Sequence, residues 1–205
     1  MHEAIASDLS AVKTAFGHAE IPWVVMGGVA LGFARYNDIM AWDTDLDVGV
    51  FVDVAEGQWQ RFYRAMRRTG FRVPGRKADY VHGRRRTSFE VWFYHKNGEF
   101  FEAFPTTTPG MKFVEQACWY EEPQIVDFVG SQYPMPKHIE AWAAAHYGED
   151  WRTNIVKDHA QYFQEKRGNP RNVPGWIENR KRKDGRLWWP ALLRADERIE
   201  DLDEV

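Results

Sequence analysis

The sequence predicts an α+β (α/β-like) fold, in which a small mixed β-sheet is flanked by helices and followed by a helical and charged C-terminal extension. Three observations support this fold class. Apolar residues recur at helical spacing over residues 5–16. Residues 42–52 alternate aspartates with aliphatic side chains, which is the period of a half-buried strand, and a second strong strand is predicted over 87–94. Because helices and strands alternate before several strands follow one another, these elements fit one small mixed sheet.

Glycine and proline set the ends of the other predicted elements. The first helix ends at Gly17, and an apolar strand follows over residues 22–26. The remaining elements, in chain order, are helices over 29–36 and 56–69, a strand over 71–73 broken by Pro74, a hairpin turn at 95–98 with a returning strand over 99–104, a strand over 124–129, and a helix over 137–147 opened by Pro136. We place a main domain at 1–155 and an extension at 156–205, where basic and acidic runs change the composition.

Composition and charge exclude several classes of protein. The chain has 205 residues, a formal net charge of −3 and one cysteine. The single Cys118 excludes an intrachain disulfide framework and a zinc site built from several cysteines. The balanced charge argues against a nucleic-acid partner. Neither a signal peptide nor an apolar run of about 18 residues is recognisable, so we expect no transmembrane segment and a cytoplasmic location.

Three aspartates form the most informative pattern in the sequence. Asp43, Asp45 and Asp47 are spaced by two residues, so a strand would place all three carboxylates on one face. Carboxylates so close repel one another by roughly 2–3 kcal/mol per pair, and a hard divalent cation such as Mg²⁺ or Mn²⁺ compensates them best. The alternative interpretation is a solvated edge strand, although aspartate is unfavourable in strands.

A pair of glycines stands between the first apolar strand and the second helix. Gly27 and Gly28 would let the backbone approach a phosphate closely, and the helix that they open would offer free amides and a partial positive charge. The alternative is a tight turn that binds no ligand. The sequence here matches neither the Rossmann nor the Walker phosphate-binding pattern.

Together these residues resemble the core motif of the LicD family. The resemblance lies in Gly27-Gly28-x-x-Leu31-Gly32-x-x-Arg35 followed by Trp42-Asp43-x-Asp45-Leu46-Asp47-x-Gly49, with a second similarity over 129–151 that includes Pro136 and Tyr147-Gly148. The family includes bacterial phosphocholine transferases and fukutin-related proteins, and it belongs to the nucleotidyltransferase fold superfamily. The resemblance covers about residues 20–155, so we interpret 1–155 as a LicD-like catalytic domain.

The resemblance also implies roles for individual residues. Asp45 and Asp47 would bind the metal, and Asp43 is the additional acid of this branch, near the substrate. The third acid of the superfamily matches Glu90, where the family usually has aspartate, and Glu102 is the competing candidate. Glu90 would be either a metal ligand or the general base for an acceptor hydroxyl.

Two further interpretations of the motif concern substrate binding. Gly27 and Gly28 would hold a phosphate, and Arg35 would either bind phosphate oxygens or form a surface salt bridge.

The activity implied by the resemblance is metal-dependent phosphoryl transfer, assisted by Mg²⁺ or Mn²⁺. The donor would be a CDP-alcohol, such as CDP-choline or CDP-ribitol, and the acceptor a hydroxyl of a glycan or glycolipid, with release of CMP. Two alternatives remain open from the sequence. The first is a nucleotidyltransferase that transfers NMP from ATP or CTP to a small molecule or protein, and the second is a degenerate nucleotide-binding module without catalysis.

Overall fold

The computed structural model describes residues 1–74, 80–103, 111–153 and 176–179. The helices in these ranges are α1 (His2–Ala19), α2 (Gly27–Tyr36), α3 (Glu56–Arg68) and α4 (Ile139–Tyr147). The strands are β1 (Val24–Val25), β2 (Asp45–Val50), β3 (Tyr80–Arg84), β4 (Ser88–Phe93), β5 (His95–Asn97), β6 (Phe100–Ala103), β7 (Met111–Gln116), β8 (Gln124–Phe128), β9 (Ser131–Met135) and β10 (Trp176–Asn179). None of the described helices combines the length and apolar character needed to cross a membrane.

A mixed four-stranded sheet in the order β1-β2-β4-β3 forms the centre of the fold. Strands β2 and β4 are parallel, whereas β1 and β3 pair with their neighbours in antiparallel orientation. Alternation along β2 turns Leu46, Val48 and Val50 into the core and leaves Asp45 and Asp47 on the opposite face. The predicted small mixed sheet flanked by helices is therefore confirmed.

Helices α1 and α3 cover the apolar face of this sheet. Phe16 of α1 lies with its ring centroid 5.2 Å from that of Phe62 of α3. Phe62 in turn lies edge-on to Phe93 of β4, at 6.3 Å between centroids. Because these aromatic residues are buried, one face of the sheet is closed by the core and the polar side chains of β2 and β4 occupy the other.

A second sheet and a hairpin complete the described fold. The second sheet has the order β10-β7-β6-β5, and β8 pairs with β9 as a separate hairpin. Helix α4 buries Trp142, Ala143 and His146. The predicted extension over 156–205 lies outside the described residues except for Trp176–Asn179, and that segment is a strand paired with β7 rather than a helix.

Several predicted element boundaries are wrong. The strand expected over 42–52 begins only at Asp45, and the hairpin turn expected at 95–98 is largely strand β5. The strand expected over 71–73 reduces to a single bridge between Arg72 and Arg84. Strand β3 was not predicted from the sequence, because Gly83 and the polar residues beside it have low strand propensity. Its pairing with β4 makes it a strand.

Candidate active site

The parallel pairing of β2 with β4 brings the predicted acids together. In the register of the two strands, Asp47 lies opposite Glu90 and Asp45 lies opposite Ser88. Residues that pair across neighbouring strands point to the same face, so the carboxyl groups of Asp47 and Glu90 share the polar face of the sheet. Glu102 instead lies in β6, where it pairs with Val114 and His95 in the second sheet.

Asp43 reaches the site from a loop rather than from the strand. Its backbone amide donates to the carbonyl of Met40 at 3.0 Å. Its own Oδ1 accepts a hydrogen bond from the backbone amide of Thr44 at 3.1 Å. The residue is buried, although it precedes β2. The prediction that all three aspartates project from one strand is therefore wrong for Asp43, because the chain turns before Asp45 and does not extend straight into the strand.

The two glycines at the start of α2 pack directly against these carboxyl groups. Gly27 has a φ of +59°, and a Cβ at this position would overlap Oδ2 of Asp47. A Cβ on Gly28 would come within 2.6 Å of Oδ2 of Asp43. Only glycine therefore allows the amino-terminal end of α2 to approach both acids. The positive end of the helix dipole consequently lies beside Asp43 and Asp47.

Burial and mutual repulsion favour the protonated forms of two of the acids. Burial, together with the neighbouring charge of Asp45, raises the pKa of Asp43 to about 7. Burial holds the pKa of Asp47 well above its ordinary value, and the charges of Glu90, Asp45 and Asp43 add to this rise. Oδ2 of Asp43 and Oδ1 of Asp47 are both buried without a hydrogen-bond partner among the described residues. A buried carboxylate oxygen without a hydrogen-bond partner raises the free energy of the folded state. A positively charged ligand between these oxygens would offset that cost.

The donor set suits a cation that is shared between protein and substrate. The described ranges contain no group of three or more His, Cys, Asp or Glu side chains placed to enclose a metal ion by themselves. Mg²⁺ usually binds through only one or two carboxylates and completes its coordination with water and substrate phosphates. Asp45 and Asp47 on β2 supply two carboxylates of that kind. Glu90 lies opposite Asp47 on the adjacent strand.

Arg35 makes its contacts with the protein itself. Its Nε donates to the carbonyl oxygen of Trp151, and its Nη1 lies 3.7 Å from Sδ of Met40. The hydrogen bond to Trp151 connects the last turn of α2 to the segment that follows α4. These contacts replace the surface salt bridge that the sequence offered as the alternative, and the proposed contact of Arg35 with phosphate stays a prediction.

Sequence reasoning missed the polar residues that β3 adds to the same face. His82 pairs with Glu90 and Arg84 pairs with Ser88 in the antiparallel register. Nε2 of His82 lies 3.0 Å from Oγ of Ser88. The signal was the alternation of His82, Gly83 and Arg84, which is visible only after this segment is recognised as a strand.

Comparison with known proteins places this arrangement in a family. Residues 20–138 match the family described as LicD/FKTN/FKRP, nucleotidyltransferase domain. No curated protein sequence matches the chain.

Two solved structures of one nucleotidyltransferase are similar in fold. The solution structure of the antibiotic-resistance factor ANT(2'')-Ia has a TM-score of 0.50 at 12% identity, covering 80% of this chain and 83% of that chain. The crystal structure of ANT(2")-Ia in complex with adenylyl-2"-tobramycin has a TM-score of 0.46 at 14% identity, covering 78% of this chain and 85% of that chain. At this identity the similarity shows the nucleotidyltransferase-like fold alone.

Proposed function

We propose the function of this chain from one premise: the chain belongs to the family of LicD/FKTN/FKRP nucleotidyltransferase domains. The proposed activity is metal-dependent transfer of a substituted phosphate, such as phosphocholine or ribitol phosphate, from a CDP-alcohol to a hydroxyl of a glycan or glycolipid, with release of CMP. The enzyme would use Mg²⁺ or Mn²⁺, whose preference for oxygen ligands suits a site made of carboxylates.

The observation that carries this proposal is the cluster of buried carboxyl groups beneath the amino-terminal end of α2. Two of its oxygens, Oδ2 of Asp43 and Oδ1 of Asp47, have no hydrogen-bond partner among the residues described. If these acids only stabilised the fold, both oxygens would stay without a partner, and nothing would offset the burial that raises the pKa values of Asp43 and Asp47. A cation shared with a diphosphate compensates both, and the free amides of a helix start suit the phosphate.

Each residue of the site has a distinct part in the proposed reaction. Asp45 and Asp47 would hold the cation, which supplies positive charge to the diphosphate when it is bound. The amides of Gly27 and Gly28 would orient a phosphate of the donor. Glu90, which lies opposite Asp47, is placed either as the third ligand or as the base that takes the proton of the acceptor hydroxyl.

The bonds that change in this reaction are few. The acceptor oxygen forms a bond to the phosphorus that carries the alcohol, and the bond from that phosphorus to the oxygen of CMP breaks. The hydroxyl proton passes to a base, for which Glu90 is our candidate. Such transfers depend on alignment and charge stabilisation more than on covalent participation of the protein, which is what a rigid strand pair under a helix terminus can supply.

Nucleotidyl transfer is the second candidate function, because ANT(2")-Ia shares the fold and is seen with an adenylyl-aminoglycoside. The two reactions attack different phosphorus atoms and therefore release different products. CMP is released in the first case and pyrophosphate in the second.

The decisive experiment is a product assay on purified protein with Mg²⁺ or Mn²⁺. CDP-choline, CDP-ribitol, CDP-glycerol, ATP and CTP would be offered with a mixed glycan extract, and chromatography would follow CMP and pyrophosphate. Asp47→Asn is the inactive comparison, and Asp53→Asn is the matched control, because the Asp53 side chain is 98% exposed outside the site.

Each outcome of the assay has a clear meaning. Release of CMP from one CDP-alcohol by the wild type and by Asp53→Asn, but not by Asp47→Asn, would support the proposal. Pyrophosphate from a triphosphate would replace it with nucleotidyl transfer. Binding of metal and nucleotide without any turnover would indicate a non-catalytic module.

A further inference from the structure

The first helix carries a buried carboxylate that the proposed reaction does not use. The side chain of Asp8 is fully buried, in a helix that packs on the apolar face of the central sheet. A buried carboxylate raises the free energy of the folded state unless hydrogen bonds and a positive charge compensate it. Asp8 also lies outside residues 20–138, which match the family. Its place in the core therefore needs an explanation of its own.

Both carboxylate oxygens of Asp8 are bound by the short turn between β3 and β4. Oδ1 accepts a hydrogen bond from Nη1 of Arg85 at 2.7 Å. Oδ2 accepts hydrogen bonds from the backbone amides of Arg86 and Thr87, at 3.0 and 2.8 Å. The hydroxyl of Thr87 donates to the same oxygen at 2.9 Å. Donors from three consecutive residues thus converge on one side chain of α1.

Arg85 fixes the same turn to a second helix. Its Nε donates to the carbonyl of Thr69, directly after α3, at 2.9 Å, and its Nη1 donates to the hydroxyl of Ser7 at 2.9 Å. The backbone amide of Arg85 donates to the carbonyl of Thr87 at 3.3 Å, within the turn itself. Hydrogen bonds between charged groups are roughly twice as strong as those between neutral groups. The turn over 85–87 is therefore held by α1 and α3.

The position of this turn determines where strand β4 begins. Ser88 follows Thr87 directly, is the first residue of β4, and lies opposite Asp45. Two residues later, Glu90 lies opposite Asp47. A shift of β4 by one residue would turn its side chains to the opposite face and remove Glu90 from the acids. Because β2 and β4 are parallel, no tight turn between them can set this register.

We propose that Asp8 is a positioning residue of the active site: its carboxylate fixes the turn over 85–87 to α1, sets the start of β4, and so holds Glu90 opposite Asp47. This inference rests on the proposed function, because it takes Glu90 as a group of the reaction. Asp8 itself touches neither substrate nor metal in this role. Its effect is on the rate, since a displacement of about 1 Å at a reacting group can cost about 10²-fold.

Four variants test the role of Asp8. In Asp8→Asn, the NH₂ group would face either Arg85 or the amides of the turn, all of which are donors. Thr87→Val removes only the hydroxyl that donates to Asp8, and Thr87→Ser restores it. His146→Leu is the matched control, because it removes a buried contact of α4 with Glu115 of β7, outside β2 and β4.

Two measurements are made on each variant, both below its melting temperature. Hydrogen exchange of the metal-free protein, followed by mass spectrometry on the peptide over 86–93, reports on β4 without substrate. Release of CMP from the CDP-alcohol gives kcat and the KM of the donor.

We expect the peptide over 86–93 to exchange at least about tenfold faster in Asp8→Asn than in the wild type, and His146→Leu to leave it unchanged. In Asp8→Asn, kcat should fall by at least about tenfold while the KM of the donor stays within about threefold, because α2 and β2 hold the donor. Thr87→Val should show smaller changes in the same direction, and Thr87→Ser should behave as the wild type.

The inference requires both effects in Asp8→Asn, and either one alone would overturn it. Faster exchange with an unchanged kcat would mean that Asp8 serves the fold alone, and a lower kcat without faster exchange would mean that it acts by another route. An equal loss of kcat in His146→Leu, at an equal loss of melting temperature, would also overturn it. If Asp8→Asn does not fold, the comparison of Thr87→Val with Thr87→Ser decides by the same criteria.

The exchange measurement separates this inference from the proposed function. If the wild type releases no CMP from any donor, the proposed function fails, and exchange alone decides whether Asp8 holds β4. If the wild type releases CMP and Asp8→Asn matches it in exchange and in kcat, the proposed function stands and the positioning role is excluded.

Discussion

The role of Glu90 can be resolved at the scale of one side chain. Glu90 lies opposite Asp47 in the parallel register, and its charge contributes to the raised pKa of Asp47. The family that the sequence resembles usually has aspartate at this position. The longer side chain of Glu90 therefore left two roles open, namely metal ligand and general base. These roles differ in what the loss of the negative charge should do.

We expect Glu90→Gln to lower kcat by about 10²–10⁴-fold, because a positioned proton acceptor contributes about that much to transfer from a hydroxyl. Metal affinity, measured by titration with Mn²⁺, distinguishes the roles. An affinity close to that of the wild type assigns Glu90 as the base, and a strongly weakened affinity assigns it as a ligand. Full activity of the variant would contradict both roles, and Glu102→Gln in the second sheet serves as the matched control.

Arg35 shows how a contact seen only in the fold changes an expectation drawn from the sequence. The sequence left Arg35 two roles, a contact with phosphate oxygens or a surface salt bridge, and under the first Arg35→Ala would weaken donor binding more than it destabilises the fold. Nε of Arg35 is bonded to the carbonyl of Trp151, at the end of a segment far away in the chain. A hydrogen bond from a charged group contributes about 1.5–3 kcal/mol.

We therefore expect Arg35→Ala to lower the melting temperature by several degrees, since about 1 kcal/mol corresponds to roughly 2–4 °C in a chain of this size. Titration of CDP-choline into both proteins tests the phosphate contact independently. An unchanged melting temperature with much weaker donor binding would show that the guanidinium serves the substrate and not the fold.

At the scale of elements, periodicity and glycine placement predicted the parts of the site that are local in sequence. The alternation of Asp45 and Asp47 with aliphatic residues gave β2 and its polar face, and Gly27-Gly28 gave the start of α2. The position of Glu90 on the neighbouring strand was also predicted, although its pairing with Asp47 depends on a register that no local pattern contains.

The elements that escaped prediction are set by strand pairing and by a turn rather than by the propensities of their residues. Strand β3 pairs with β4 although it contains Gly83. Asp43 is placed by a local turn in which its amide donates to the carbonyl of Met40, three residues earlier. Arg84 and Arg85 are neighbours in the sequence, but in the fold Arg85 contacts the buried Asp8 and Arg84 is exposed.

A buried network of polar side chains joins α4 to β7. Its contribution to the free energy of unfolding can be tested by substitution in α4. Nε2 of His146 lies 2.9 Å from Oε2 of Glu115, which also accepts a hydrogen bond from the hydroxyl of Tyr120. The indole of Trp142 donates to that hydroxyl at 2.9 Å. Because His146 and Glu115 are both buried, loss of either partner would leave a charge or polar group without compensation.

We expect His146→Leu to lower the free energy of unfolding by about 3–5 kcal/mol, measured by denaturant titration. Glu140→Gln is the control, because it removes an exposed ion pair with Arg152 from the same helix and should change stability little. A His146→Leu protein as stable as the wild type would show that the network is energetically neutral.

At the scale of the whole molecule, the acids of the site link folding to pH and to metal. Burial raises the pKa of Asp43 from the ordinary value of 3.8 to about 7. Between these values the folded protein holds a proton that the unfolded chain has already released. The free energy of unfolding therefore falls as the pH rises through this window, by about 1.4 kcal/mol for each unit between the two pKa values. Asp47, whose pKa is also raised, acts in the same direction.

We expect the metal-free protein to lose this contribution between about pH 4 and pH 7, and Asp43→Asn to be more stable than the wild type at pH 8 but not at pH 4. Addition of Mg²⁺ at pH 8 should raise the melting temperature of the wild type, because a ligand that binds only the folded state stabilises it by RT ln(1 + [L]/Kd). The same addition should have a much smaller effect on Asp47→Asn. If the difference between wild type and Asp43→Asn did not vary with pH, the carboxyl group would be well solvated, and the electrostatic argument for a cation at this site would lose its basis.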